Sequence, residues 1–95
     1  MKRDILSERI IADTCDGIKN LLIRKNHDYG NSFSKQFEKY GLLSGIIRLD
    51  DKMSRLDSLI QNKALVNESI EDTVADIAGY AILLLIELRK KQEGE

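Results

Sequence analysis

A chain of 95 residues with 42% apolar and 33% charged side chains has the composition of a globular protein, and its length allows one domain. Fifteen Lys and Arg against sixteen Asp and Glu leave a net charge of -1, which excludes a general nucleic-acid binder. The one cysteine, Cys15, excludes an internal disulfide and a zinc ribbon.

Proline is absent and strand-type alternation is missing throughout, so the expected fold is an all-α bundle of three long helices and one short one. The first helix is predicted over about residues 4–25, with Ile10, Ile11, Cys15, Ile18, Leu21 and Leu22 on its buried side. On that face Cys15 reads as an inert core residue. Residues 26–32 gather turn formers around Tyr29 and read as a loop. Phe33, Phe37 and Tyr40 recur at helical spacing and predict a short helix that Gly41 ends. The third helix is predicted over about residues 43–62, its buried seam formed by Ile46, Leu49, Met53, Leu56 and Ile60. Residues 64–68 are the expected connector, and Ser69 the N-cap of a fourth helix reaching about Lys91.

That fourth helix carries two apolar faces. Ile70, Val74, Ile77, Ala81, Leu84 and Leu88 form one, and Ala75, Ala78, Ile82 and Ile86 the other. A small bundle buries one face per helix, so the second predicts a homo-oligomer, a dimer or larger. The longest uncharged run, Ile77 to Ile86, is ten residues, about half a bilayer span. No secretory signal is read in the first ten residues, and the expected location is cytoplasmic.

Three segments hold candidates for chemistry. On the third helix Arg48, Lys52 and Arg55 fall in one stripe able to hold phosphate oxygens, although the same charges suit a solvated surface paired through Asp51. On the fourth, Asp72 and Asp76 lie one turn apart with Tyr80 beyond them. Two such carboxylates can share Mg²⁺ or receive cations from a neighbouring helix. Asp76 leads into an apolar run, so it needs a partner of some kind. In the loop, Lys25, Asp28 and Tyr29 are candidate contacts, Tyr29 by stacking on a base or by packing as a lid. His27 has no second histidine with which to build a metal site.

Together, His27-Asp28-Tyr29-Gly30-Asn31, Arg48-Leu49-x-Asp51-Lys52-x-x-Arg55-Leu56 and Asp72-Thr73-x-x-Asp76-x-x-x-Tyr80 resemble the phage and bacterial nucleotide modification associated domain, type one, over about residues 25–88. More distantly the chain is similar to the all-α nucleoside triphosphate pyrophosphatases of the MazG and dimeric dUTPase kind. Those bind Mg²⁺ through acids on two helices and cleave between the α and β phosphates. That resemblance implies Asp50, Asp51, Asp72 and Asp76 as metal ligands, with Ser54 and Thr73 standing where the pattern has acids.

The leading expectation is a pocket for a phosphorylated nucleotide or nucleotide-derived signal. Arg48, Lys52 and Arg55 would hold phosphate, Asp28 and Tyr29 would contact the base or ribose, and Asp72 and Asp76 would orient the cations or a residual metal, with Lys25 and Tyr80 as further ligand contacts. The phage association of the family implies sequestration of a nucleotide signal used in host immunity. The alternatives are a Mg²⁺-dependent pyrophosphatase and a helical protein-interaction module.

Overall fold

The computed structural model describes residues 7–29, 31–62 and 67–94. These form four helices, α1 (Glu8–Tyr29), α2 (Ser32–Tyr40), α3 (Leu42–Gln61) and α4 (Asn67–Gly94), with no strand among the described residues. No described helix is long and apolar enough to cross a membrane.

α1 begins where Ser7 caps it: the Ile10 N–H donates to Ser7 Oγ at 3.3 Å. The expected start at Asp4 lies outside the described residues. At its other end α1 runs through Tyr29, so residues 26–29 are helical and not a loop. Asn, His and Asp are only mildly unfavourable inside a helix, and none of them stops one already formed. The reversal comes at Asn31, whose left-handed backbone (φ 62°, ψ 32°) an asparagine tolerates. Gly41 closes α2 and opens α3. Its φ of 77° and ψ of -160° are open to glycine alone, its N–H donates to the Phe37 carbonyl at 2.7 Å, and its own carbonyl accepts from Ser44. Of the expected connector at residues 64–68, residues 64–66 lie outside the described residues, whereas Asn67 and Glu68 already have helical backbone, so Ser69 stands within α4 and is not its N-cap.

α1 and α3 both pack antiparallel against α4. Lys25 lies beside Asp76 and Leu22 beside Gly79, while Lys52 meets Asp76 and Gly45 meets Leu84. α2 lies across α3 and α4. Gly45 lets α3 come close, since a Cβ there would stand 2.7 Å from Leu84 Cδ1.

The faces that turn inward differ from those expected. On α3, Leu49 and Leu56 are half-buried, but Ile46, Met53 and Ile60 are open, and Gly45, Lys52 and Leu59 lie against the bundle in their place. The helix has rotated by less than a quarter turn, bringing the cationic stripe to the covered side. On α4, Ile70, Ile77, Leu84 and Leu88 are half-buried, yet Val74, Ala81, Ile82 and Ile86 are exposed. Thr73 and Glu87 are buried. Cys15 is exposed, not a core residue, because only Ile18, Leu21 and Leu22 of the predicted α1 face reach cover.

The buried apolar core among the described residues is Phe33, Phe37 and Leu59.

With so few core side chains, each matters. Phe37→Ala should cost about 3–4 kcal/mol in urea denaturation at fixed protein concentration. Ile11→Ala, at an exposed position on α1, should change stability by less than about 0.5 kcal/mol.

Candidate functional site

Antiparallel packing of α1 and α3 on α4, with α2 across the end, encloses a cavity of about 360 Å³. The last turns of α1 supply Leu22, Lys25 and Asn26; α2 supplies Ser32 and Phe33 from its first turn. Arg48 enters from α3, and Asp76 and Tyr80 from α4. The remaining wall is apolar, with Leu21 and Leu83 facing across it and Gly79 at the closest approach of α1, where a Cβ would lie 3.0 Å from Leu22 Cδ2.

Asp76 is the hub of this site. Its Oδ1 lies 3.2 Å from Lys25 Nζ and its Oδ2 3.1 Å from Lys52 Nζ, so one carboxylate ties α1, α3 and α4 together. Its side chain is 20% exposed, against 25% for Lys52 and 46% for Lys25. Burial pushes the Asp76 carboxyl up, but the hydrogen bonds and charges of Lys52 and Lys25 outweigh it and hold the group below its ordinary value.

Arg48 is the third cation. Its guanidinium carbon stands 5.6 Å from the centres of both the Phe33 and Tyr80 rings, which are stacked at 6.0 Å and 23°. Gln36 fixes the other side of the group: its Oε1 accepts from Arg48 Nε at 3.1 Å and from Nη2 at 2.6 Å. Two cations, Lys25 and Arg48, thus line the cavity against one carboxylate, Asp76, leaving an excess positive charge beside an apolar wall.

The structure brings Lys25, Arg48, Lys52, Asp76 and Tyr80 together. Arg55 shares their stripe but falls at its exposed edge, and the cations that meet Asp76 are Lys25 and Lys52. Asp72 is exposed one turn before Asp76. Asp28 is exposed in the last turn of α1, with its Oδ1 3.6 Å from His27 Nδ1. Tyr29 has helical backbone, and its side chain lies outside the described residues. Asp50 and Asp51 line a second, more open groove with Ser54 on the outer side of α3. Among the described residues no three His, Cys, Asp or Glu side chains are placed to share a metal ion.

Three contributors went unrecognised in the sequence. Phe33 reads as core from its spacing to Phe37, and it is core, but its ring also carries Arg48. Gln36 sits one turn after Ser32 with no local mark of its role. Asn26 lines the cavity and donates through Nδ2 to Asn31 Oδ1 at 2.6 Å, a contact that exists because the chain reverses between them.

The family model of nucleotide modification associated domain 1 matches residues 25–88, about two thirds of the chain, and the chain belongs to this family. The matched span contains every cavity residue except Leu21 and Leu22. No curated protein and no solved structure matches the chain significantly.

The lowered Asp76 pKa carries a pH dependence with a definite sign. A carboxyl whose native pKa is depressed contributes stability that is complete above its unfolded value and drains away as pH falls through the native one. Asp76→Asn should therefore lower stability by about 1–2 kcal/mol at pH 7. In denaturation measured at a series of pH values, the gap between wild type and variant should close below about pH 4.

Proposed function

We propose that this member of the nucleotide modification associated domain 1 family binds a phosphorylated nucleotide in the cavity between α1, α3 and α4. The observation that carries the reading is the charge imbalance of the pocket wall: Lys25 and Arg48 line an apolar pocket with one carboxylate, Asp76, and that carboxylate is already shared with a further cation, Lys52. An anion that replaces part of the Asp76 contact completes the neutralisation, and phosphate is the anion for which a planar guanidinium held on two rings is best arranged. Leu21, Leu22 and Leu83 offer the flat apolar contact that a nucleobase needs. Asn26 and Ser32 add polar groups that can fix its orientation.

Binding is favoured over Mg²⁺-dependent cleavage by where the acids fall. Both oxygens of Asp76 are engaged by lysines, and Asp50 and Asp51 lie on the other groove. Cations beside Asp76 oppose a divalent ion and favour phosphate. A protein that holds a nucleotide intact withdraws it from solution, which suits sequestration of a nucleotide signal.

Calorimetry with nucleotides and with the corresponding nucleosides tests the reading. Binding should require the phosphate and should survive EDTA. Arg48→Lys, which keeps charge but loses the planar fork, and Lys25→Ala should each weaken it by roughly 1.5–3 kcal/mol. Equal binding of nucleosides would overturn the proposal. Loss of binding in EDTA, with pyrophosphate released in Mg²⁺, would assign the chain to hydrolysis.

A further inference from the structure

Arg48 meets the cavity with one edge of its guanidinium already used. The group carries its N–H donors in a planar fork, Nε and one Nη along the side and the two Nη groups across the end. Gln36 Oε1 accepts from both side donors, from Nε at 3.1 Å and from Nη2 at 2.6 Å. Gln36 lines the groove outside α3, and Arg48 lines both that groove and the cavity, so the side edge is held towards the groove. The Phe33 and Tyr80 rings, each 5.6 Å from the guanidinium carbon, restrain its plane. The end edge meets no acceptor among the described residues. Lys25, the other cation of the wall, gives one contact to Asp76 Oδ1 and keeps further ammonium donors.

Given the nucleotide reading above, on which this depends, we infer that Gln36 is a positioning residue that makes the cavity selective for one terminal phosphate, as in a nucleoside monophosphate. With its side edge occupied, Arg48 meets a ligand across its end, where two parallel N–H bonds take two oxygens of one phosphorus. The remaining donors of Lys25 call for a third. A terminal phosphomonoester has three such oxygens. A phosphodiester has two non-bridging oxygens and leaves Lys25 with Asp76 alone.

Longer phosphate chains are disfavoured by charge and by space. Lys52 is engaged by Asp76 Oδ2 and does not line the cavity, and Arg55 stands at the exposed edge of its stripe, so no lining cation is left for a second or third phosphate. The cavity, about 360 Å³, is near the lower end of the roughly 300–1,000 Å³ of small-molecule sites. Gln36 is exposed and lies outside the Phe33, Phe37 and Leu59 core, so its replacement leaves the fold in place.

The test is calorimetry with the 5′-monophosphates and 5′-triphosphates of the common ribo- and deoxyribonucleosides, the nucleosides themselves, and the methyl esters of the monophosphates. For the base that binds best, the monophosphate should bind about tenfold or more tightly than its methyl ester, the scale of one charge-assisted hydrogen bond, and no less tightly than the triphosphate. Gln36→Leu frees the side edge and lets the guanidinium turn. It should keep the helical circular dichroism and urea midpoint of the wild type, while the preference for monophosphate over ester falls to about threefold or less. Gln36→Glu still occupies the side edge but neutralises the group, so it should weaken both ligands and keep the wild-type preference. A methyl ester that binds as tightly as the monophosphate, or a triphosphate that binds more tightly, would overturn the single terminal phosphate and leave nucleotide binding standing. An unchanged preference in Gln36→Leu would overturn the positioning role. Nucleosides that bind as tightly as their monophosphates, or no binding of any of these probes, would overturn the function proposed above and this inference with it.

Discussion

A single carboxylate cross-ties this fold. Asp76 receives Lys25 from α1 and Lys52 from α3, so the three longest helices meet at one ion cluster. An acid at the entrance to an apolar run is costly unless paired, and the pairing here goes together with the rotation of the neighbouring helices. Lys52 must face α4 to reach it, and that turn of α3 carries Arg48 inward and leaves Ile46 and Met53 outside. Stability and electrostatics are in this way the same feature. Lys25 both balances Asp76 and lines the cavity, where Arg48 adds the positive charge that Asp76 does not offset.

The second consequence is a division of labour between the two sides of the bundle. Polar and charged groups occupy positions that an ordinary bundle gives to leucine, and the apolar residues displaced from the interior appear on the outer sides of α3 and α4. Phe33, Phe37 and Leu59 make a small core for such a chain. The thin apolar interior follows from this division, because Lys52, Thr73, Asp76 and Glu87 take up inward positions on α3 and α4.

Arg48 joins the two sides. Stacked on Phe33 and Tyr80 and held by Gln36, its guanidinium is fixed in orientation before any ligand arrives. A preorganised group of this kind loses little freedom on binding, so its contact with an anion is not offset by ordering entropy. Gly45 and Gly79 help to create this arrangement by letting α3 and α1 approach α4 closely around the cavity.

The sequence by itself determined the helical class, the glycine at the α2–α3 junction and the need of Asp76 for a partner. These follow from local rules: periodicity, a backbone conformation reserved for glycine, and the cost of an isolated charge in an apolar run. The two apolar faces read on α4 are not the ones the structure separates, since Val74 and Ala81 of the first are exposed and Ala75 and Ala78 of the second half-buried. Membership of the family was legible in the three motifs as well. What the tertiary structure decided is which face of each helix turns inward. Local energies are almost indifferent to a rotation of a helix about its axis, so neither the exposure of Ile46, Met53 and Cys15 nor the covering of Lys52 shows in the spacing. The choice of Lys25 and Lys52 over Arg55 as partners of Asp76 arises in the same way, from close contacts such as Gly45 on Leu84 that fix rotation between elements far apart in the chain. The continuation of α1 through Tyr29 belongs with these. A few weak turn formers do not overcome the cooperativity of a helix already formed, and the chain reverses only at Asn31.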